Sequence, residues 1–227
     1  MVNWCELAER TMNIPEHLAI TLFEKPSSKD AYLKRTEIVE MLLLAQVEFG
    51  IKVMTVYLLD TESKSEEFSE STSSISSIIE KIRPIVESNS VRVSVFGKWY
   101  DLSGALVDSI KNIISLTAEN SRFFLNLCIN YDGREEISDA CRLIALKAFS
   151  GKIEPSSVSK EMIKENISSS YFASPSLIIK NNPPEASSLL LWDSPGAKVV
   201  FSGKSWERLE KRDFINAISF YSKLSGQ

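Results

Sequence analysis

The chain has 227 residues, 44% hydrophobic and 25% charged, ordinary proportions for a globular protein in water and enough for one domain with a sizeable core. Its 26 Lys and Arg against 30 Asp and Glu give a net charge of −4, which argues against the basic face of a nucleic-acid binder. Three cysteines without a CxxC spacing and a single histidine exclude the familiar structural zinc sites and point to reduced thiols in an interior compartment.

In chain order, "HLAITLF" (17–23) reads as a short buried strand whose C-terminal end opens into a loop beginning Phe23-Glu24-Lys25. In α/β proteins such strand ends hold the chemistry. In 31–49, Ile38, Met41, Leu42, Ala45 and Phe49 recur at helical spacing, and Gly50 supplies a C-terminal stop. "IKVMTVYLL" (51–59) is a second strand. "TESKSEEFSESTSSISS" (61–77) is rich in serine and glutamate. It reads as a mobile surface loop running into a helix, with a flap over a substrate site as the alternative. Further strands are expected at 91–96, 122–130, 176–180 and 197–202, all short, apolar and rich in β-branched or aromatic residues. Helices are expected at 103–120, 134–149, 158–170 and 208–224. Strand–helix alternation with nearly continuous apolar strands indicates a single α/β domain over 1–227, with a parallel sheet of about six strands flanked by helices. No apolar run approaches the length of a membrane span, and "MVNWCELAER" lacks a signal-peptide pattern. A cytoplasmic protein is expected, in contact with a membrane at most peripherally.

The usual catalytic motifs are absent: no Gly-rich phosphate loop, no GxSxG elbow, no HExxH. Four segments occur in a telling order, however: "HLAI" after a proline, "FGIKVMTVYLLDTES" (49–63), "LNLCINYDGREEI" (125–137) and "SSLLLW" (187–192). Over roughly residues 15–220 the chain resembles the cis-prenyltransferases, which include undecaprenyl diphosphate synthase and the dehydrodolichyl diphosphate synthases. That resemblance implies a parallel sheet flanked by helices around a hydrophobic tunnel. It also implies condensation of an allylic diphosphate with isopentenyl diphosphate, assisted by Mg²⁺ and cationic side chains that neutralise the departing polyanion.

Against the family pattern several positions depart. The aspartate after the first strand is replaced by Phe23, which neither ligates a metal nor accepts a proton. The glutamate of the last strand is replaced by Lys198. At ~4 Å and an effective dielectric of ~20, its ammonium would oppose Mg²⁺ by about 8 kcal/mol. The diphosphate-binding segment keeps Lys180 and Ser187 but lacks its second arginine, and lysine holds a phosphate only as a point charge. The C-terminal tail, which in the family reaches a partner's site, offers Lys223 and Gly226 without an arginine. Asn130, Tyr131, Gly133 and Arg134 of the "NYDGR" motif are retained and are expected to maintain fold and contact. The resemblance therefore implies first a non-catalytic, Nogo-B-receptor-like accessory subunit of a heteromeric cis-prenyltransferase that makes long-chain polyprenyl diphosphate. Such a subunit holds no cofactor itself, and Mg²⁺ is expected in the catalytic partner subunit. Two alternatives stay open: a divergent active prenyltransferase using carboxylates such as Glu24, Asp60 and Glu62, or a prenyl-binding regulatory protein with no synthase partner.

Overall fold

The computed structural model describes residues 12–22, 31–61, 65–181 and 187–225, with side chains of 65–68 excepted. Six strands form one sheet: β1 (His17–Thr21), β2 (Val53–Asp60), β3 (Val91–Phe96), β4 (Phe123–Tyr131), β5 (Leu177–Lys180) and β6 (Lys198–Phe201). Every pairing is parallel and the order is β3-β4-β2-β1-β5-β6. The expected fold class is thus observed. The helices are α1 (Ala31–Phe49), α2 (Ser65–Ser88), α3 (Gly104–Leu116), α4 (Gly133–Phe149), the short α5 (Lys160–Glu165) and α6 (Lys211–Ser225). No helix among the described residues is long and apolar enough to cross a membrane.

The sheet separates two apolar layers because alternate strand residues point to opposite faces. Leu18, Ile20, Met54, Val56, Leu125 and Leu127 form one layer with Leu42 and Leu43 of α1, Ile78, Ile79 and Ile82 of α2 and Ile110 of α3. Ala19, Tyr57, Phe124, Cys128 and Ile178 face the other way, against Phe172, Leu189 and Leu190. α1 stops where expected: Gly50 takes φ 70°, and Ile51 N–H returns to the Gln46 carbonyl at 3.0 Å.

The serine-rich stretch is corrected: from Ser65 it is helix. Ile75, Ile78, Ile79, Ile82 and Val86 are all fully buried at helical spacing, and this apolar stripe outweighs the low helix propensity of serine. The hydroxyls fold back onto their own helix, Ser73 Oγ donating to Ser69 O at 3.1 Å and Ser77 Oγ to Ser73 O at 3.3 Å. Ser74 Oγ instead reaches Tyr32 O of α1 at 3.1 Å. The helix expected over 158–170 is also shorter, ending at Glu165. Asn166 caps it, its Nδ2 donating to Met162 O at 2.7 Å.

Candidate functional site

Because all six strands are parallel, their C-terminal ends open on one rim of the sheet. The chain leaves β1 toward β2 but passes from β4 to β5 on the other side of β1. The strand order therefore reverses between β1 and β5, where α/β sheets hold their ligands. At that point Leu22 N–H donates to Tyr57 O at 2.8 Å, and Asn181, just after β5, donates to the Thr21 carbonyl. Lys180 ends β5, half-buried, and its carbonyl accepts from Ser202 N–H at 2.8 Å.

The "NYDGREE" segment builds the neighbouring part of the rim. Asn130, at φ 50°, ties β4 to the end of β3: Lys98 N–H donates to its carbonyl at 2.8 Å, and its Nδ2 donates to Lys98 O at 2.9 Å. The chain crosses so closely there that a Cβ on Gly97 would lie 2.5 Å from Ile129 O. Asp132 caps α4, accepting from Arg134 N–H at 2.7 Å as an N-cap carboxylate does. The Arg134 side chain folds back onto the same carboxylate at 2.7 Å and holds its pKa below the ordinary carboxylate value. Tyr131 OH donates to Glu136 Oε2 at 2.8 Å and Ser168 N–H to Oε1 at 3.1 Å. Burial raises the Glu136 pKa despite these donors. Asn130, Tyr131, Asp132, Glu136 and Ser168 line a cleft of about 240 Å³ with Thr61, Lys98 and Tyr100 at its sides.

The 187–193 loop closes over this corner. The Ser188 carbonyl sits where a side chain on Gly133 would project, 2.2 Å from an ideal Cβ. Tyr57 OH donates to Tyr131 O at 2.6 Å and lies 3.4 Å from Ser188 Oγ. One phenol thus joins β2, the end of β4 and the loop, and burial raises its pKa above the ordinary phenol value. Ser187 stands beside Ser188, half-buried, its Oγ without a hydrogen-bond partner among the described residues.

The structure brings Asn130, Tyr131, Gly133, Arg134 and Ser187 into one corner, with Lys180 at the neighbouring strand end. Phe23, Glu24, Glu62 and Gly226 lie outside the described residues. Lys223 is exposed on α6. Lys198 requires a correction. It begins β6, level with Leu177 and so with Leu18 of β1. Three residues of strand and two strand spacings place its backbone about 14 Å from the β1 end. Its Nζ instead donates to Ser225 Oγ at 2.8 Å, 5.3 Å from the Tyr221 ring centre. Within one chain its backbone stands at the start of β6, away from that rim. Sequence reasoning missed Tyr57, Asp132 and Glu136 as members of the corner. Only Asp132 left a local signal, a capping aspartate followed three residues later by Glu135.

The family model described as "Putative undecaprenyl diphosphate synthase" matches residues 24–226. The chain belongs to this family, the cis-prenyltransferases. A tritrans,polycis-undecaprenyl-diphosphate synthase (geranylgeranyl-diphosphate specific) of Picrophilus torridus is 32% identical over 86% of this chain and 79% of its own length. An isoprenyl transferase of Prochlorococcus marinus is 27% identical over 92% of this chain and 81% of its own. Among solved structures, a lavandulyl diphosphate synthase from Lavandula x intermedia in complex with dimethylallyl diphosphate superposes with a TM-score of 0.87 at 20% identity, covering 92% of this chain and 95% of that one. A probable undecaprenyl diphosphate synthase from Campylobacter jejuni superposes with a TM-score of 0.74 at 21% identity, covering 92% and 96%. The two structures share the fold. The sequence relatives overturn the expectation that this chain is no enzyme by itself, since they are named as synthases and transferases.

Proposed function

We propose that the chain is a divergent active cis-prenyltransferase, extending an allylic diphosphate with isopentenyl diphosphate. The observation that carries this reading is the extent of the relationship. The family match runs from residue 24 to 226 and so spans the rim from just after β1 to α6, and a relative at 32% identity over 86% of the chain is named as a synthase. The rim geometry agrees with the chemistry. A leaving diphosphate is a polyanion and needs cations and hydrogen-bond donors, and the rim carries Lys180 at the end of β5 and Ser187 and Ser188 on the neighbouring loop.

In this reading the working unit contains a second chain of the same family. Support for a second chain is exposed apolar side chains in the C-terminal half, Leu146 at 59% and Phe149 at 93% on α4 and Phe201 at 52% on the edge strand β6.

The deciding experiment incubates the purified chain with isopentenyl diphosphate, an allylic primer and Mg²⁺. Prenyl products longer than the primer are expected. A homogeneous, folded sample that yields none above buffer overturns the proposal.

A further inference from the structure

The 187–193 loop reaches the rim at one end, and at the other it is fastened by a buried acid. Asp193 is 4% exposed. Its Oδ2 accepts from Lys164 Nζ of α5 at 2.7 Å and from Ser169 Oγ. Its Oδ1 accepts from Ser174 Oγ at 3.3 Å. Lys164 also donates to Ser169 O at 2.9 Å, so a single ion pair gathers α5, the 169–174 segment and the loop. The anchor extends toward the rim through the backbone. Asp193 N–H and Ser194 N–H both donate to Leu190 O, at 2.9 and 2.8 Å. Leu190 is buried at φ 47°, a left-handed conformation that a leucine keeps only where its surroundings impose it. Two residues earlier, Ser188 meets Gly133 and Tyr57. The stretch between the two fastenings is too short to absorb slack, so the placement of one end fixes the other.

We infer that Asp193 is a positioning residue that sets where the Ser187 and Ser188 hydroxyls stand at the rim, and thereby how tightly the chain binds the diphosphate of its substrate. The inference rests on the proposed prenyltransferase reading for the identity of that ligand. Asp193 lies at the far end of the loop and need not touch the diphosphate, so its contribution is to geometry, where a misplaced hydrogen bond to a charged group costs roughly ten- to a hundred-fold in affinity.

The test compares the intact chain with Asp193→Ala and Asp193→Asn. Isothermal titration with Mg²⁺ and isopentenyl diphosphate is run well below every melting temperature, beside amide hydrogen exchange at residues 187–191. Asp193→Ala is expected to weaken binding on the order of ten-fold and to speed exchange at the loop. Asp193→Asn, which keeps one acceptor oxygen for Ser169 or Ser174, turns the other position into an NH2 donor and loses the charge facing Lys164, should fall between, and it decides the matter alone where the alanine variant does not fold. A lowered melting temperature with unchanged affinity and loop exchange overturns the inference, as does an intact chain that binds no isopentenyl diphosphate. An intact chain that binds the diphosphate yet elongates nothing overturns the prenyltransferase proposal while leaving the role of Asp193 standing.

Discussion

Replacing Gly133 by alanine tests the closure of the corner directly. The added methyl would lie 2.2 Å from the Ser188 carbonyl oxygen, 2.8 Å from Leu191 Cβ and 3.2 Å from Leu191 N. Two of those three atoms are backbone, so no side-chain rotation relieves the clash, and the loop must retreat by about 1 Å to restore ordinary contact. Forcing a methyl into a packed site costs about 1–3 kcal/mol. Taking about 2 kcal/mol, a chain of this size loses about 4–8 °C in Tm. The same retreat draws the Ser187 and Ser188 hydroxyls from the rim, so affinity for isopentenyl diphosphate should fall on the order of ten-fold or more. Gly104→Ala is the control: it opens α3, nothing lies within 4 Å of its ideal Cβ, and the change should raise stability by about 0.4–1 kcal/mol through the unfolded chain. Differential scanning calorimetry of both variants, with diphosphate titration, reads the contrast. Equal melting temperatures and affinities would refute the claim that the loop seats on Gly133.

Tyr57→Phe removes the donor to the buried Tyr131 carbonyl and should cost about 1–3 kcal/mol in a denaturant titration, with an unchanged midpoint counting against the brace. His17 is 2% exposed, between Ala173 O at 2.7 Å and Thr55 Oγ1 at 2.8 Å, and burial lowers its pKa from 6.5. Its contribution is therefore complete above pH 6.5 and is lost as pH falls below that value, by at most about 1.4 kcal/mol per pH unit. Glu136, with a pKa raised from 4.5, acts in the opposite sense and favours the folded state as pH falls toward 4.5. Unfolding titrations in a Glu136→Gln background should thus show the histidine slope alone, and a flat profile between pH 7.5 and 5.5 would contradict it. Phe149→Glu with Phe201→Glu should abolish association by light scattering while leaving Tm within about 1 °C, since both residues are exposed and surface changes alter stability little. Lys198→Ala should leave isopentenyl diphosphate affinity of the isolated chain within about twofold, as expected for a charge screened beyond the Debye length.

The sheet was legible because a parallel strand buried on both faces leaves an almost unbroken apolar run: all seven residues Val53–Leu59 are buried, and "FFLNLCINY" is buried at all but one position. The serine helix α2 was not legible from composition over 61–77, because the residues that hold it, Ile75 to Val86, lie mostly beyond that window. The end of α5 was missed for a related reason. Ser168 and Ser169 carry no periodic signal, yet the first gives its backbone N–H to Glu136 and the second its hydroxyl to Asp193, partners 32 and 24 positions away that only the fold brings close. The rim shows the limit most clearly. Tyr57 reads as one more aromatic strand residue, and its partners lie 74 and 131 positions away. Only the sheet order makes them neighbours.

Lys198 shows why substitutions counted motif by motif do not add up to an inactive site. Phe23, Lys198 and the missing arginine carry weight together only if all act on one ion in one place. At ~4 Å the ammonium opposes a divalent cation by about 8 kcal/mol at an effective dielectric of ~20. At the about 14 Å that the strand register imposes, through water and salt, the opposition falls to about 0.5 kcal/mol or less. One of the three departures therefore drops out of the isolated chain, and the ammonium has a local use against Ser225 and Tyr221. What the rim retains is a lysine at the end of β5, two hydroxyls on a loop seated against Gly133, and an ion pair at Asp193 that keeps the loop in place. Those are the groups that the proposed reading brings to a diphosphate, on a fold the chain shares with its family.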